Sequence, residues 1–315
     1  MSEEMKLHKP WLIAVWPGMG QVALSAGYYM MAKLGMNLLA EFSPKEFFEL
    51  EFVEVNEGLI RPGNLPRSRL FAWNDPQKQH DIIVFIGEAQ PHVGKYLFCH
   101  SLMDLAHKLG VERVFTFAAM ATQMHPSHVS RVFGAATDAS GLEQLKSLDI
   151  ELLEEGRISG LNGVLLGVAA ERGLRGTCLL GEMPHIFAQL PFPKASLAVL
   201  RVFSSLAGID LDTHELVEQA RIMDHNLGQL LSQVENELEQ RRSEGEEKSE
   251  FETEPTVEEE AGLTARDEHH IEKLFQQAAG DRSKAYELKR ELDRLNVFKD
   301  YEDRFLSLFR KPGTE

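Results

Sequence analysis

The chain has 315 residues, 43% of them hydrophobic, and a formal net charge of −16 from 49 acidic and 33 basic side chains. That length and apolar content allow one large domain or two smaller ones with a sizeable core. The acid excess argues against nucleic acid or an anionic membrane as the main target, since both would repel such a surface.

Residues 1–9 mix acids and bases and lack the apolar core of a signal peptide. The apolar run Trp11 to Trp16 is short, and no run reaches the roughly 18 residues of a membrane span. The expectation is a soluble, cytoplasmic protein. Trp11-Leu12-Ile13-Ala14-Val15-Trp16 reads as a buried strand, Pro17-Gly18-Met19-Gly20 as a tight turn, and Gln21 to Leu34 as a helix stopped by Gly35. A second strand follows over residues 36–42.

Glu51 to Trp73 reads differently. Short alternating strands at Glu51–Val55, Leu59–Ile60 and Arg69–Trp73 are separated by Asn56-Glu57-Gly58 and Pro62-Gly63-Asn64-Leu65-Pro66. That is an antiparallel meander inserted between parallel units. The strand–helix alternation then resumes: strand 81–86, helix 93–109, strand 111–117, a loop rich in Met, His, Pro and Ser over 118–130, and strand 131–136. A short helix 140–148, a short strand 150–153, a helix from Ser159 to about Arg172 and a strand 176–181 come next. Pro193 opens a helix that Gly208 ends. The pattern predicts a three-layer α/β/α sandwich, mostly parallel, with an antiparallel meander insertion and C-terminal helices.

From Leu211 to Gln240 the residues Leu216, Ala220, Met223, Leu227, Leu230 and Val234 repeat as a heptad seam. It suits an amphipathic helix laid on its own domain, or an oligomer contact carried by Leu216, Met223, Leu227, Leu230 and Val234. Residues 241–262 hold nine Glu and few apolar residues, the composition of a flexible acidic linker. Residues 263–311 read as a tail of two helices, the second with Leu288, Leu292, Leu295, Phe298, Tyr301 and Phe305 as its apolar face. The expected organisation is a core over 1–240, the linker and the tail. The tail's apolar face must meet the core, a sister subunit or another protein.

Three patterns bear on chemistry. Gly18-Met19-Gly20 with Ala23 fits G-x-G-x-x-A between a strand and a helix, with Glu41 a little over twenty residues later. Such a turn lets a pyrophosphate approach a helix N-terminus. Against this, the meander interrupts the βαβαβ unit a dinucleotide needs, so the glycines equally serve the turn alone. Glu88, Asp138 and Glu182 stand at strand ends, where three carboxylates could line a crevice for acid–base work or cap helices. His125 and His128 lie three apart with Pro126 between and no third ligand nearby, which reads as a polar loop. Cys99 and Cys178 sit in apolar runs without metal-ligand spacing and read as buried thiols. No metal or cofactor is expected.

The chain resembles the proteasome assembly chaperone 2 family. The resemblance is carried by Trp16-Pro17-Gly18-Met19-Gly20 with Val22-Ala23, by Phe47-Phe48, and by Val55-Asn56-Glu57-Gly58. It continues in Ile86-Gly87-Glu88-Ala89-Gln90-Pro91, Gly134-Ala135-Ala136-Thr137-Asp138, Ile158 to Gly163, and Gly181-Glu182-Met183-Pro184. It implies a core similar to nucleoside phosphorylases, a tendency to oligomerise, and a binding or assembly role in eukaryotic and archaeal members. It supplies no catalytic residues. Members that dock on proteasome rings can end in a hydrophobic residue, Tyr and any residue. The sequence here ends Lys311-Pro312-Gly313-Thr314-Glu315, so docking by that mode is not expected.

The resulting expectation is a non-catalytic, oligomeric scaffold or assembly protein, with a possible protein partner for the tail. The alternative is an enzyme or small-ligand binder on a phosphorylase-like fold, taking a nucleoside-type or dinucleotide ligand.

Overall fold

The computed structural model describes residues 6–42, 45–50, 53–56, 58–148, 150–243 and 263–310. Ten strands and nine helices are found among them. They are β1 (Trp11–Val15), α1 (Val22–Lys33), β2 (Asn37–Phe42), β3 (Glu54–Asn56), β4 (Leu59–Arg61), β5 (Ser68–Trp73) and β6 (Ile82–Gly87). There follow α2 (Lys95–Lys108), β7 (Arg113–Thr122), β8 (Val132–Ala136), α3 (Ala139–Ser147), β9 (Glu151–Leu152), α4 (Gly160–Glu171) and β10 (Arg175–Pro184). The chain then runs through α5 (Pro193–Ala207), α6 (His214–Ser243), α7 (Ala265–Gly280), α8 (Ala285–Arg294) and α9 (Phe298–Ser307). No helix among the described residues is long and apolar enough to cross a membrane.

Eight strands form one mixed sheet in the order β2-β5-β6-β1-β7-β10-β8-β9. The middle four, β6, β1, β7 and β10, are parallel. Their side chains alternate between two cores, as a strand buried on both faces requires. Ile13, Val15, Val84 and Ile86 face α1 and α5, whereas Leu12, Ala14, Ile83 and Phe85 face α2 and α4. Helix α1 lies very close to the sheet: a Cβ on Gly27 would stand 2.7 Å from Cγ2 of Val15. Only a residue without a side chain allows that approach.

Four differences from the sequence reading have clear causes. The meander is divided: β2 and β5 join the main sheet antiparallel, while β3 and β4 form a separate hairpin. Strand β7 continues past Phe117 to Thr122, because β10 pairs beside it as far as Pro184. Strand β8 runs antiparallel to β10. The tail's second helix is two, α8 and α9, broken where Asn296 takes a left-handed conformation (φ 56°).

The tail lies on the chain's own core. Tyr286 meets Tyr29 of α1 edge-on at 4.6 Å, and Phe298 and Phe305 meet Tyr28 at 5.5 and 5.9 Å. Phe309 packs on Phe71 of β5, and its carbonyl accepts the Leu38 N–H of β2 at 2.7 Å.

Helix α6 packs on α5. Leu216, Ala220 and Leu227 are buried and Met223 is partly buried in that contact, so this part of the seam is used within the chain. Leu230 and Ile222 remain exposed. The Val234 side chain lies outside the described residues.

Candidate functional site

The parallel strands all end at one edge of the sheet, and the loops that follow gather there. They are Pro17–Gln21 after β1, Glu88–Gly94 after β6, Gln123–Ser130 after β7 and His185–Phe192 after β10. The β3–β4 hairpin rises from the same edge, because Phe42, Ser68 and Gly87 lie in register across β2, β5 and β6.

The glycine turn is the first candidate, and the backbone of its second glycine is already occupied. Gly18 is extended, Met19–Gln21 form one 3-10 turn, and Gly20 is left-handed at φ 61°. The Gly20 N–H donates to the Ala188 carbonyl at 2.8 Å, and the Gly20 carbonyl accepts from Phe192 N–H at 2.9 Å. Gln21 N–H returns to Gly18 at 3.1 Å. A Cβ on Gly20 would meet Met183 Sδ at 2.7 Å. The Gly20 amide, which a phosphate at this turn would need, instead fastens the turn to the loop after β10, the Gln21 amide bonds within the turn, and Gly20 is buried. Gln90 adds a second tie: its side chain donates to the Pro17 carbonyl at 3.0 Å and accepts from Leu161 N–H, at the start of α4, at 3.1 Å.

The three carboxylates do not form one crevice. Because β8 is antiparallel, Asp138 lies at the opposite edge, where it caps α3 by accepting from Gly141 N–H at 2.9 Å. Glu88 and Glu182 share the loop edge but are separated by three strand steps, roughly 14 Å at the usual spacing.

Each of the two has its own basic partners. Glu88 accepts from Arg67 N–H and from Arg69 Nη1, both at 2.9 Å. Glu182 is buried and accepts from Arg131 Nε at 2.8 Å and Nη2 at 2.6 Å, and from Thr122 Oγ1 at 2.8 Å. The Arg131 hydrogen bonds hold the Glu182 carboxyl below the usual range, against the opposing effect of burial. A carboxylate so fastened ties β8 to β10.

Beside it opens a cavity of about 410 Å³ lined by Thr122, Gln123, Met124, His128, Val129, Arg131 and Glu182. Its loop is pinned from outside: Lys194 of α5 donates to the His128 carbonyl at 3.0 Å and pairs with Asp224 of α6 at 2.6 Å. His125 bonds to Ser127 of its own loop. Arg131 and Thr122 carried no site signal of their own, and Gln90 stood only within a segment of the family resemblance, since each acts through a partner far along the chain.

Burial pushes the Cys99 thiol up to about 12 and Cys178 to about 11, so neither is a ready nucleophile.

The edge shows apolar side chains to solvent among polar ones such as His92, Gln123, His128 and His185. Val129 is 84% exposed, Ile60 and Val93 74% each, and Met19, Leu59 and Ile186 are exposed as well. Among the described residues, every exposed large apolar side chain except Ile222 and Leu230 lies at this edge, in the hairpin region, or in the first turns of α2. Large contiguous apolar patches are rare on monomeric surfaces.

Known proteins share this architecture. The profile of the PAC2 family matches residues 12–231, well over half of the chain. An uncharacterised protein of Methanocaldococcus jannaschii is 27% identical over 223 residues, covering 68% of this chain and 80% of its own. The crystal structure of the Pyrococcus furiosus archaeal proteasome activator PbaB is similar at a TM-score of 0.62 and 24% identity, covering 72% of this chain and 96% of that one. A Mycobacterium tuberculosis proteasome-assembly chaperone homologue is similar at 0.61 and 19%, covering 70% and 94%. At these identities the solved structures establish the fold.

Proposed function

Starting from the fact that this chain belongs to the PAC2 family, we propose that it is a cytoplasmic, oligomeric scaffold or assembly factor that works by protein contact through the loop edge of its sheet. The observation that carries this reading is the gathering of exposed apolar side chains at that edge, headed by Val129, Ile60 and Val93. The polar groups of the same edge hold its loops to one another, as at Gly20, Gln90 and Glu182. The edge thereby holds exposed apolar side chains on fixed loops with polar ones around them, a mixture typical of protein interfaces. A family that includes proteasome-related members supports an assembly role. On α6, Leu230 and Ile222 offer a further apolar contact.

Sedimentation at micromolar concentration tests the proposal. The expected result is an assembly larger than a monomer, reduced toward monomer by Ile60→Glu with Val129→Glu while the melting temperature holds. A wild-type monomer, or an oligomer indifferent to both substitutions, overturns it. A large thermal shift with nucleosides, phosphate or nicotinamide cofactors would favour the ligand-binding alternative instead.

A further inference from the structure

We propose that the C-terminal helices cover a second self-association surface, made of the outer edge of β2 and the α1 face beside it, which a second copy of this chain occupies when the tail releases it. The surface is separate from the loop edge and does not depend on it.

The argument begins with the backbone. Strand β2 is the outermost strand at its side of the sheet. Its Leu38 N–H points away from β5 and is satisfied by the Phe309 carbonyl at 2.7 Å, just beyond α9. Arg282 adds to the seal, donating to the Met36 carbonyl at 3.3 Å, Asn37 Oδ1 at 2.8 Å and the Arg310 carbonyl at 2.9 Å. An outer strand left open is a template for pairing with another strand, and proteins commonly cover it.

Beneath the tail lie three aromatic side chains of the core. Tyr28, Tyr29 and Phe71 are all at most 2% exposed with the tail in place, and Phe298, Phe305, Phe309 and Tyr286 cover them. The covering segment begins after residue 262, whereas the family match ends at residue 231. The cover is therefore an addition to a core pattern that does not include it.

The fastening is in part ionic and open to water. Asp303 of α9 pairs with both Arg67 and Arg69, at 2.7 Å for Arg69, and is itself 67% exposed. Glu302 accepts from Lys299 at 3.1 Å and faces the Tyr28 hydroxyl at 3.4 Å. Asp303 and Lys299 reach water, so their pairs weaken with salt, whereas Arg69 and Glu302 are buried.

The replacement occupant must bring a backbone acceptor for Leu38 and an apolar flank. A second β2 with its α1 brings both. The single charge on β2, Glu41, stands 3.6 Å from Arg69, which also holds Glu88, and an antiparallel pairing centred on β2 sets each Glu41 opposite Leu38 of the other copy rather than opposite the other Glu41.

Light scattering on the full chain, read with hydrogen exchange of α8 and α9, tests this. Asp303→Arg places three cations together, and Asp303→Arg with Phe309→Ser also removes the aromatic anchor. The expected result is faster exchange in the tail together with a discrete doubling of the wild-type mass. Adding Leu38→Pro, which removes the edge N–H, should return the wild-type mass. Faster exchange with unchanged mass, a polydisperse aggregate in place of a doubled species, or a tail that stays protected in the double variant each overturns the proposal. Loop-edge substitutions leave this doubling in place, so the two readings fail separately.

Discussion

The Ala188 carbonyl stands 2.8 Å from the Gly20 amide nitrogen, joining the turn after the first strand to the loop after the last. That bond turns a sequence which reads as an anion-binding motif into a structural rivet. It needs Gly20 left-handed and without a side chain, whereas Gly18 is extended with nothing within 4 Å of its would-be Cβ.

Gly20→Ala is therefore expected to destabilise the protein by about 2–3 kcal/mol, through backbone strain and the clash with Met183. Gly18→Ala should change stability by less than about 0.5 kcal/mol. Urea denaturation of the two variants checks the contrast; equal losses would remove the rivet from the account.

Glu182 makes stability depend on acid. Its carboxyl titrates below the usual value chiefly because of its hydrogen bonds from Arg131. A depressed carboxyl stabilises fully above its unfolded pKa, near 4.3, and that stabilisation is lost as pH falls through the lower folded value. The wild type should thus lose stability below about pH 4.5, and Glu182→Gln should lose less over the same interval. At neutral pH the substitution should cost about 1–3 kcal/mol, since it weakens a buried acceptor and leaves Arg131 to water. Melting curves from pH 3 to 7 report both effects.

His80 acts in the same direction from a different cause, at higher pH. Its ring stacks on Trp11 at 3.8 Å, and burial, with Arg113 nearby, lowers its pKa against the pull of Asp75 and Asp81. Protonation then favours the unfolded chain. Stability is complete above the unfolded value, about 6.5, and declines as pH drops from there to the folded value. His80→Phe keeps the stack and should flatten the decline between pH 7.5 and 5.5. An unchanged slope in that variant would assign the decline to other groups.

Much of the architecture was legible because it is local. The apolar run of β1, the two glycines after it, Pro193 at the start of α5 and Gly208 at its end act within a few residues, and each element formed where its pattern stood. The tail's apolar face was also legible, though not what it would cover. The limits appeared wherever a partner lay far along the chain. Strand direction is one case: nothing within residues 131–138 says that β8 runs antiparallel, yet this sends Asp138 to the far edge and leaves Arg131 beside Glu182. The heptad seam of α6 is another, because its spacing is the same whether α5 or a second copy fills it.

By itself, the order of residues determined most of the strands, turns and helices, though not the extension of β7 to Thr122 or the break between α8 and α9, since periodicity and backbone restriction are properties of neighbours. Only the tertiary structure decided which amides were already bonded, which carboxylates were neutralised and which apolar faces stayed open. Those outcomes depend on groups brought together from distant parts of the chain, as Gly20 and Ala188 are.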